Sequence, residues 1–291
     1  MAINLFFHPR TSGHSMKHLI CDLLFFGIVL FAVQLPAADI GTPENGVTAH
    51  RGNSSEFPEN SMAAFRSAVR LGADWIELDV FKTKDGKLVI CHDPQTGQLA
   101  DGNLNVSTST FEELNALDMA FAFRQARKLT ETDCPRLSIL LLEDVLRFVL
   151  DSKTARLSIH PKNDCVDDAV AMIRRLDAVA WVGFNDSNLQ RMIRVKELEP
   201  MIPVFWDRFE WSDEDIITAK KHRFEYLVLH FNHVTAERVE AVHQAGLKFG
   251  VWTVNDPALM KKFLRLGVDR MYTDYPRVLL DQKRENYLRF D

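Results

Sequence analysis

From residue 45 onward, short runs of β-branched and aromatic residues alternate with amphipathic stretches that open on a capping side chain and close on glycine. Val47–His50 leads through a polar loop into a helix over Asn60–Leu71, with Asn60 as its N-cap and Gly72 just past its end. Trp75–Val80 is the next strand. Later strands are Leu157–His160, Ala180–Gly183, Pro203–Trp206, Tyr226–His230, Lys248–Val254 and Arg270–Thr273. Thr235 caps a helix that runs to Ala245, and Asn255 or Asp256 caps another with Pro257 at its first helical position. Strands separated by helices of about ten residues pair in parallel.

One run breaks this rhythm. Lys87–Cys91 follows Val80 too closely for a parallel crossover, which needs about a dozen residues. The intervening Thr83-Lys84-Asp85-Gly86 carries an Asp-Gly turn signal, so Trp75–His92 reads as a hairpin. With the turn centred at Asp85-Gly86, His92 falls opposite Asp79. The other runs begin at Val47, Trp75, Leu157, Ala180, Pro203, Tyr226, Lys248 and Arg270, and they predict a closed (β/α)8 barrel, the TIM barrel. Residues 93–134 hold no barrel strand. Thr110-Phe111-Glu112-Glu113 there is a capping box that opens a short helix, in what reads as an insertion above the barrel mouth.

Composition narrows the classes. The 291 residues are 46% apolar and 26% charged, ordinary for a globular chain with a sizeable core. Lys+Arg count 35 against Asp+Glu 40, a formal charge of −5, which lacks the basic footprint of a nucleic-acid binder. Leu19–Val33 is an apolar run behind Lys17 and His18 and ahead of Pro36-Ala37-Ala38, the pattern of a secretory signal peptide. Residues 1–38 are therefore read as an export segment with a mature start near Asp39, and Met16 as a second candidate start. A retained membrane anchor is the other reading of the same run, although it is short for a span. Export would leave Cys91, Cys134 and Cys165, either as three thiols or with Cys134 and Cys165 paired.

The candidate chemistry gathers at strand ends. Positions two apart on a strand share a face, so Glu77 and Asp79 project together into the barrel while Ile76, Leu78 and Val80 face the helices. Two buried carboxylates need a cation between them, and a hard divalent metal or an Arg/Lys partner would serve. His50 ends the first strand and His92 the hairpin, at the barrel end where active sites sit, where they would form an acid/base couple. Arg51 and Lys162 are cations placed to grip a phosphate oxygen. Trp252 is a candidate apolar wall, with Trp206 and His230 as weaker ones, and Glu59-Asn60 lie in the first βα loop.

These motifs together resemble the glycerophosphodiester phosphodiesterase family. The likeness runs through His50-Arg51-Gly52, Pro58-Glu59-Asn60-Ser61, Gly72-Ala73-Asp74-Trp75-Ile76-Glu77-Leu78-Asp79-Val80, Thr83-Lys84-Asp85-Gly86 and His92-Asp93. It continues in Phe111-Glu112-Glu113-Leu114, Val251-Trp252-Thr253-Val254-Asn255, Gly267-Val268-Asp269 and Thr273-Asp274-Tyr275-Pro276. The resemblance covers a catalytic barrel over 45–280, leaving 281–291 as a C-terminal tail. It implies hydrolysis of a glycerophosphodiester to an alcohol and glycerol 3-phosphate through a cyclic phosphate. His50 and His92 would act as general base and acid, and Glu77 and Asp79, with Glu59 nearby, would hold one divalent cation. Arg51 would contact the phosphate.

One departure stands out. Where the family has a Glu, one residue, then Lys, this chain has His160-Pro161-Lys162. His160 in a ligand position keeps a donor but removes a negative charge, which moves the expected ion from Mg2+ or Ca2+ toward Mn2+ or Zn2+. Two other functions share these residues. One is phospholipase D-like action on intact or lyso-phospholipids, with membrane contact through the apolar residues of 93–134; the other is a non-catalytic phosphate-ligand protein. The sequence leaves the oligomeric state open.

Overall fold

The computed structural model of the chain describes residues 46–287. The export segment read from residues 1–38 lies outside them. Among the described residues no helix is long and apolar enough to cross a membrane.

The strands are β1 (Val47–Ala49), β2 (Trp75–Lys82), β3 (Leu88–Ile90), β4 (Leu140–Leu141), β5 (Arg156–Pro161), β6 (Val182–Asp186), β7 (Val204–Arg208), β8 (Tyr226–His230), β9 (Lys248–Trp252) and β10 (Arg270–Thr273). Eight of them run parallel in the order β1-β2-β5-β6-β7-β8-β9-β10, and β10 pairs back onto β1 to close a TIM barrel. The helices are α1 (Met62–Leu71), α2 (Phe111–Asn115), α3 (Phe121–Arg127), α4 (Leu142–Ser152), α5 (Val166–Arg175), α6 (Leu189–Leu198), α7 (Asp213–Lys221), α8 (Ala236–Gln244), α9 (Pro257–Arg265) and α10 (Pro276–Tyr287). Alternation along each strand decides which side chains meet the helices. Ile76, Leu78, Val80, Leu157, Ile159, Phe184, Leu227, Leu229, Phe249 and Val251 pack into the main apolar core with helix residues such as Phe65, Val145, Ile173, Val195 and Phe263.

The barrel interior is different. Its lower end is plugged by Trp75, Phe205, Tyr226 and Tyr272 around Arg270, whose guanidinium carbon lies 3.8 Å from the Phe205 ring centre and 4.2 Å from that of Trp75. Stacking between aromatic faces lets a weakly hydrated guanidinium stay charged while only 1% exposed. Above it a polar layer begins: Tyr272 Oη lies 3.3 Å from Ser158 Oγ, which donates to Asn185 Oδ1 at 2.8 Å, and Asn185 Nδ2 donates to Asp207 Oδ2 at 3.2 Å. The interior thus grows more polar toward the C-terminal ends of the strands.

Several local expectations shift by a residue or two. Ser61, not Asn60, caps α1, its Oγ accepting from Ala64 N; Asn60 instead takes a left-handed φ of 54° and turns its amide inward. The sixth strand in the chain is Val182–Asp186 rather than Ala180–Gly183, because 179–181 form a 3-10 turn. The hairpin register is Val80–Ile90, so Asp79 lies opposite Cys91, whose N–H donates to the Asp79 carbonyl, and not His92. The cause is the turn. Thr83 N donates to Lys87 O, closing a loop of Lys84-Asp85-Gly86 with Gly86 at φ 79°, one residue longer than a two-residue turn. The capping box at Thr110 and Glu113 forms as expected. Beyond it, β4 returns to pair with β3 and ties the insertion to the hairpin. At the other end α10 carries helix past residue 280, where the tail was expected. Cys91, Cys134 and Cys165 are free thiols, so the Cys134–Cys165 pairing does not form.

Gly52 is required by packing as well as by its φ of 82°. A Cβ there would lie 2.7 Å from Ala64 Cβ and 2.8 Å from the Ala64 carbonyl carbon. Gly52→Ala is expected to destabilise the protein by about 2–4 kcal/mol, from left-handed strain plus overpacking against α1. Urea unfolding measures this; an unchanged midpoint would show that the loop has room to move.

Candidate active site

At the upper end of the barrel a cleft of about 160 Å3 opens, lined by His50, Arg51, Glu77, Asp79, His92, His160, Asn185, Ser187, Asp207, Phe209, Trp252, Thr253 and Tyr272. Its acidic floor comes from β2, where Glu77 and Asp79 are each 1% exposed. Arg51 sits at φ 56°, a turn that aims its backbone N–H at Glu77 Oε2, 3.0 Å away. Asn60 Nδ2 donates to Asp79 Oδ2 at 2.9 Å, and Arg51 Nε lies 3.6 Å from the same oxygen. Asp79 Oδ1 is buried without a hydrogen-bond partner, with Lys162 Nζ and His160 Nδ1 each 3.4 Å away.

Glu77, Asp79 and His160 bring one donor atom each within 4.8 Å of one another. A bound cation would satisfy the orphaned Asp79 oxygen, and two carboxylates with one imidazole make an acceptable donor set for a divalent ion. Imidazole orientation strengthens the fit. His160 Nδ1 faces Glu77 Oε1 (3.8 Å) and Asp79, while Nε2 faces Asp186 Oδ1 at 3.8 Å. Asp186 is held in turn by Arg191 Nη1 at 3.0 Å. A carboxylate behind a ligating histidine is the usual outer support of a metal site.

The titrating groups are pushed apart. Burial and the neighbouring Asp79 charge raise the Glu77 pKa. Burial opposes ionisation of Asp79, yet His160 and Lys162 outweigh it and hold that carboxyl well below the usual range. His160 is pushed up to about 10: burial works against its charge, but Asp186 and Asp79 prevail. His50 is also raised, because the hydrogen bond from its Nδ1 to Asp274 Oδ1 (2.7 Å) and the charge of Glu77 overcome burial. His92 moves the other way, lowered by burial, although its Nδ1 lies 2.8 Å from Asp93 Oδ1.

The structure therefore gathers His50, His92, Arg51, Glu77, Asp79, His160 and Trp252 around one cleft. Lys162 reaches Asp79 from beside the cleft rather than lining it. Glu59 stands apart from the three-donor cluster: both its oxygens accept from Arg51 Nη1 at 3.0 Å, so it aims the guanidinium instead. Asp274, Asp186, Asn60 and Asp207 have no role in the site that the sequence reading assigns. Asp274 sits in the Thr273-Asp274-Tyr275-Pro276 motif, which could have drawn attention to it; Asp186 and Asp207 end strands without any motif around them.

The sequence pattern described as the glycerophosphoryl diester phosphodiesterase family matches residues 50–278. A glycerophosphodiester phosphodiesterase of Bacillus altitudinis is 30% identical, over 79% of this chain and 94% of its own length. Another, from Caldanaerobacter subterraneus, is 29% identical over 82% of this chain and 98% of its own. Among solved structures, an Oleispira antarctica phosphodiesterase in complex with the product sn-glycerol-3-phosphate superposes with a TM-score of 0.72 at 24% identity, covering 82% of this chain and 96% of that one. With the barrel, the paired carboxylates and both histidines in place across this match, the chain belongs to the glycerophosphoryl diester phosphodiesterase family and is a phosphoric diester hydrolase.

Proposed function

We propose that this chain hydrolyses glycerophosphodiesters to an alcohol and glycerol 3-phosphate, with His50 and His92 moving the protons and Glu77, Asp79 and His160 holding one divalent cation. The observation that carries the reading is the histidine pair. Each imidazole has its Nδ1 against a carboxylate, which leaves Nε2 for substrate, and their environments drive their pKa values in opposite directions. An acid and a base facing one cleft need that separation.

The substrate's own glycerol hydroxyl attacks phosphorus, and one imidazole takes its proton. The other imidazole protonates the departing alcohol, and the product is a cyclic phosphate. Water then opens the ring with the two imidazoles in exchanged roles, which returns each to its starting protonation. Arg51, steered by Glu59, places positive charge beside the phosphoryl oxygens as negative charge builds there. When bound, the metal would supply further positive charge to those oxygens. Because His160 binds a proton tightly in the metal-free chain, loading the site would displace that proton, and metal affinity would rise with pH.

His50→Ala and His92→Ala are each expected to lower turnover of glycerophosphocholine by ~10²–10⁴-fold while leaving the circular dichroism spectrum unchanged. A variant that keeps a tenth of the wild-type rate would remove that histidine from proton transfer. The pH profile of kcat/KM is expected to be bell-shaped, with the acid limb set by the lowered His92 and the alkaline limb by the raised His50. That makes His92 the base and His50 the acid of the first step, the reverse of the order that the family resemblance implies. Asp274→Asn weakens the contact that raises His50, so the alkaline limb moves to lower pH; no movement would sever that link. His160→Glu restores a third carboxylate and is expected to shift the best ion toward Mg2+ or Ca2+, read by equilibrium metal binding as well as by activity. An identical metal series would show that His160 is not a ligand.

A further inference from the structure

The cleft has two unlike walls. In the barrel order β1-β2-β5-β6-β7-β8-β9-β10, the donors of β1, β2 and β5 stand across the axis from β7, β8 and β9. That far side carries aromatic rings. The register pairs Arg208 with Leu229 and His230 with Trp252, which sets Phe209, His230 and Trp252 side by side at one level. Phe209 meets Trp252 edge to face with ring centres 4.9 Å apart, and His230 meets Trp252 in the same way at 5.3 Å. Phe209 is 60% exposed, which leaves its ring open to a ligand that enters the cleft.

One carboxylate lies beneath these rings. Asp207, within β7, and Phe209, just past its end, line the same cleft, Asp207 at 8% exposure. Its hydrogen-bond partner in the structure is an uncharged amide, Asn185 Nδ2, and it forms no ion pair among the described residues. Nor does it belong to the Glu77, Asp79 and His160 cluster. Burial pushes its carboxyl up to about 7, and the charge of His160, beyond ion-pair distance, offsets only part of that rise. Burial also lowers the His230 pKa, so that ring stays uncharged at neutral pH and does not supply the missing charge.

Aromatic faces above a carboxylate with no ion-pair partner are complementary to an ammonium group with apolar substituents. We infer that the Asp207–Phe209–Trp252 wall is a subsite for a cationic head group, so that the enzyme selects choline-type glycerophosphodiesters over those with neutral or anionic head groups. This rests on the hydrolase reading only for the word substrate; the cation site itself stands on the wall. The phosphate would lie against Arg51 and the acidic floor, and the ammonium would cross the cleft to the opposite strands. Asp207 and Phe209 are the specificity determinants, and neither touches the reacting bonds.

Two measurements test this on the protein as it exists. Binding of choline and of its neutral isostere 3,3-dimethyl-1-butanol is followed by saturation-transfer NMR, and kcat/KM is compared between glycerophosphocholine and glycerophosphoglycerol. Choline is expected to bind at least about tenfold more tightly than the neutral isostere. In Asp207→Asn the glycerophosphocholine to glycerophosphoglycerol ratio is expected to fall by about tenfold or more. Phe209→Ala, at an exposed position that the fold does not need, is expected to lower the same ratio and the choline affinity. Equal binding of choline and the isostere, or a ratio that neither substitution moves, overturns the inference. Asp207-dependent choline binding without cleavage of any ester would keep the cation subsite and remove the hydrolase reading. Cleavage of both esters with no preference would do the reverse.

Discussion

Glu77 and Asp79 point the same way from a buried strand, and most of the upper barrel answers that one fact. Two like charges about 4 Å apart repel by about 4 kcal/mol at an effective dielectric of about 20, before either pays for leaving water. The compensation comes from two separate stretches of chain. The first βα loop offers the Arg51 amide, the Arg51 guanidinium and the Asn60 side chain; β5 offers His160; the residue just past β5 offers Lys162. Both non-glycine left-handed residues of the first loop, Arg51 and Asn60, are bent to make these contacts. Strain at those two positions is thus tied to the charge that the loop must meet, and Gly52 gives the bent loop room against α1.

The compensation is incomplete, and the shortfall has a direction. Asp79 Oδ1 remains without a hydrogen-bond partner, although His160 Nδ1 and Lys162 Nζ each stand 3.4 Å away. A bound cation would supply the contact that those two ion pairs leave unmade. Replacing a third carboxylate with His160 lowers the negative charge that a cation would meet, and Asp186 restores part of it from behind the ring. The site therefore spreads its charge outward instead of concentrating it at the ligands.

Fold and site were unequally legible in the sequence. Periodicity locates the eight barrel strands because each is a short apolar run set off by loops or amphipathic helices, and tertiary packing has nothing to override. The errors arose where one residue of loop length decides the outcome. A three-residue hairpin loop in place of a two-residue one moved the partner of Asp79 from His92 to Cys91, and a 3-10 turn displaced the start of β6. In the site, parity along β2 and the strand-end histidines were readable because they are local. Asp274, Asp186 and Asp207 were not, because their importance lies in which distant strand stands beside them. Glu59 shows the same limit: its sequence neighbourhood suits a ligand, and in space its carboxylate lies against Arg51.

The barrel seam sets an order in time. His50 follows the first strand, yet its ring is held by Asp274 and its amide bonds to Thr273, more than 220 residues later. During synthesis the carboxylates of β2 and the donor of β5 emerge and can meet while His50 still has no partner. Contacts of such long sequence separation form late, because the loop they close is nearly the whole domain. A chain in which β10 has not yet paired would lack the partners that anchor His50. The ring of His50 is anchored only in the same step that makes the barrel a closed ring.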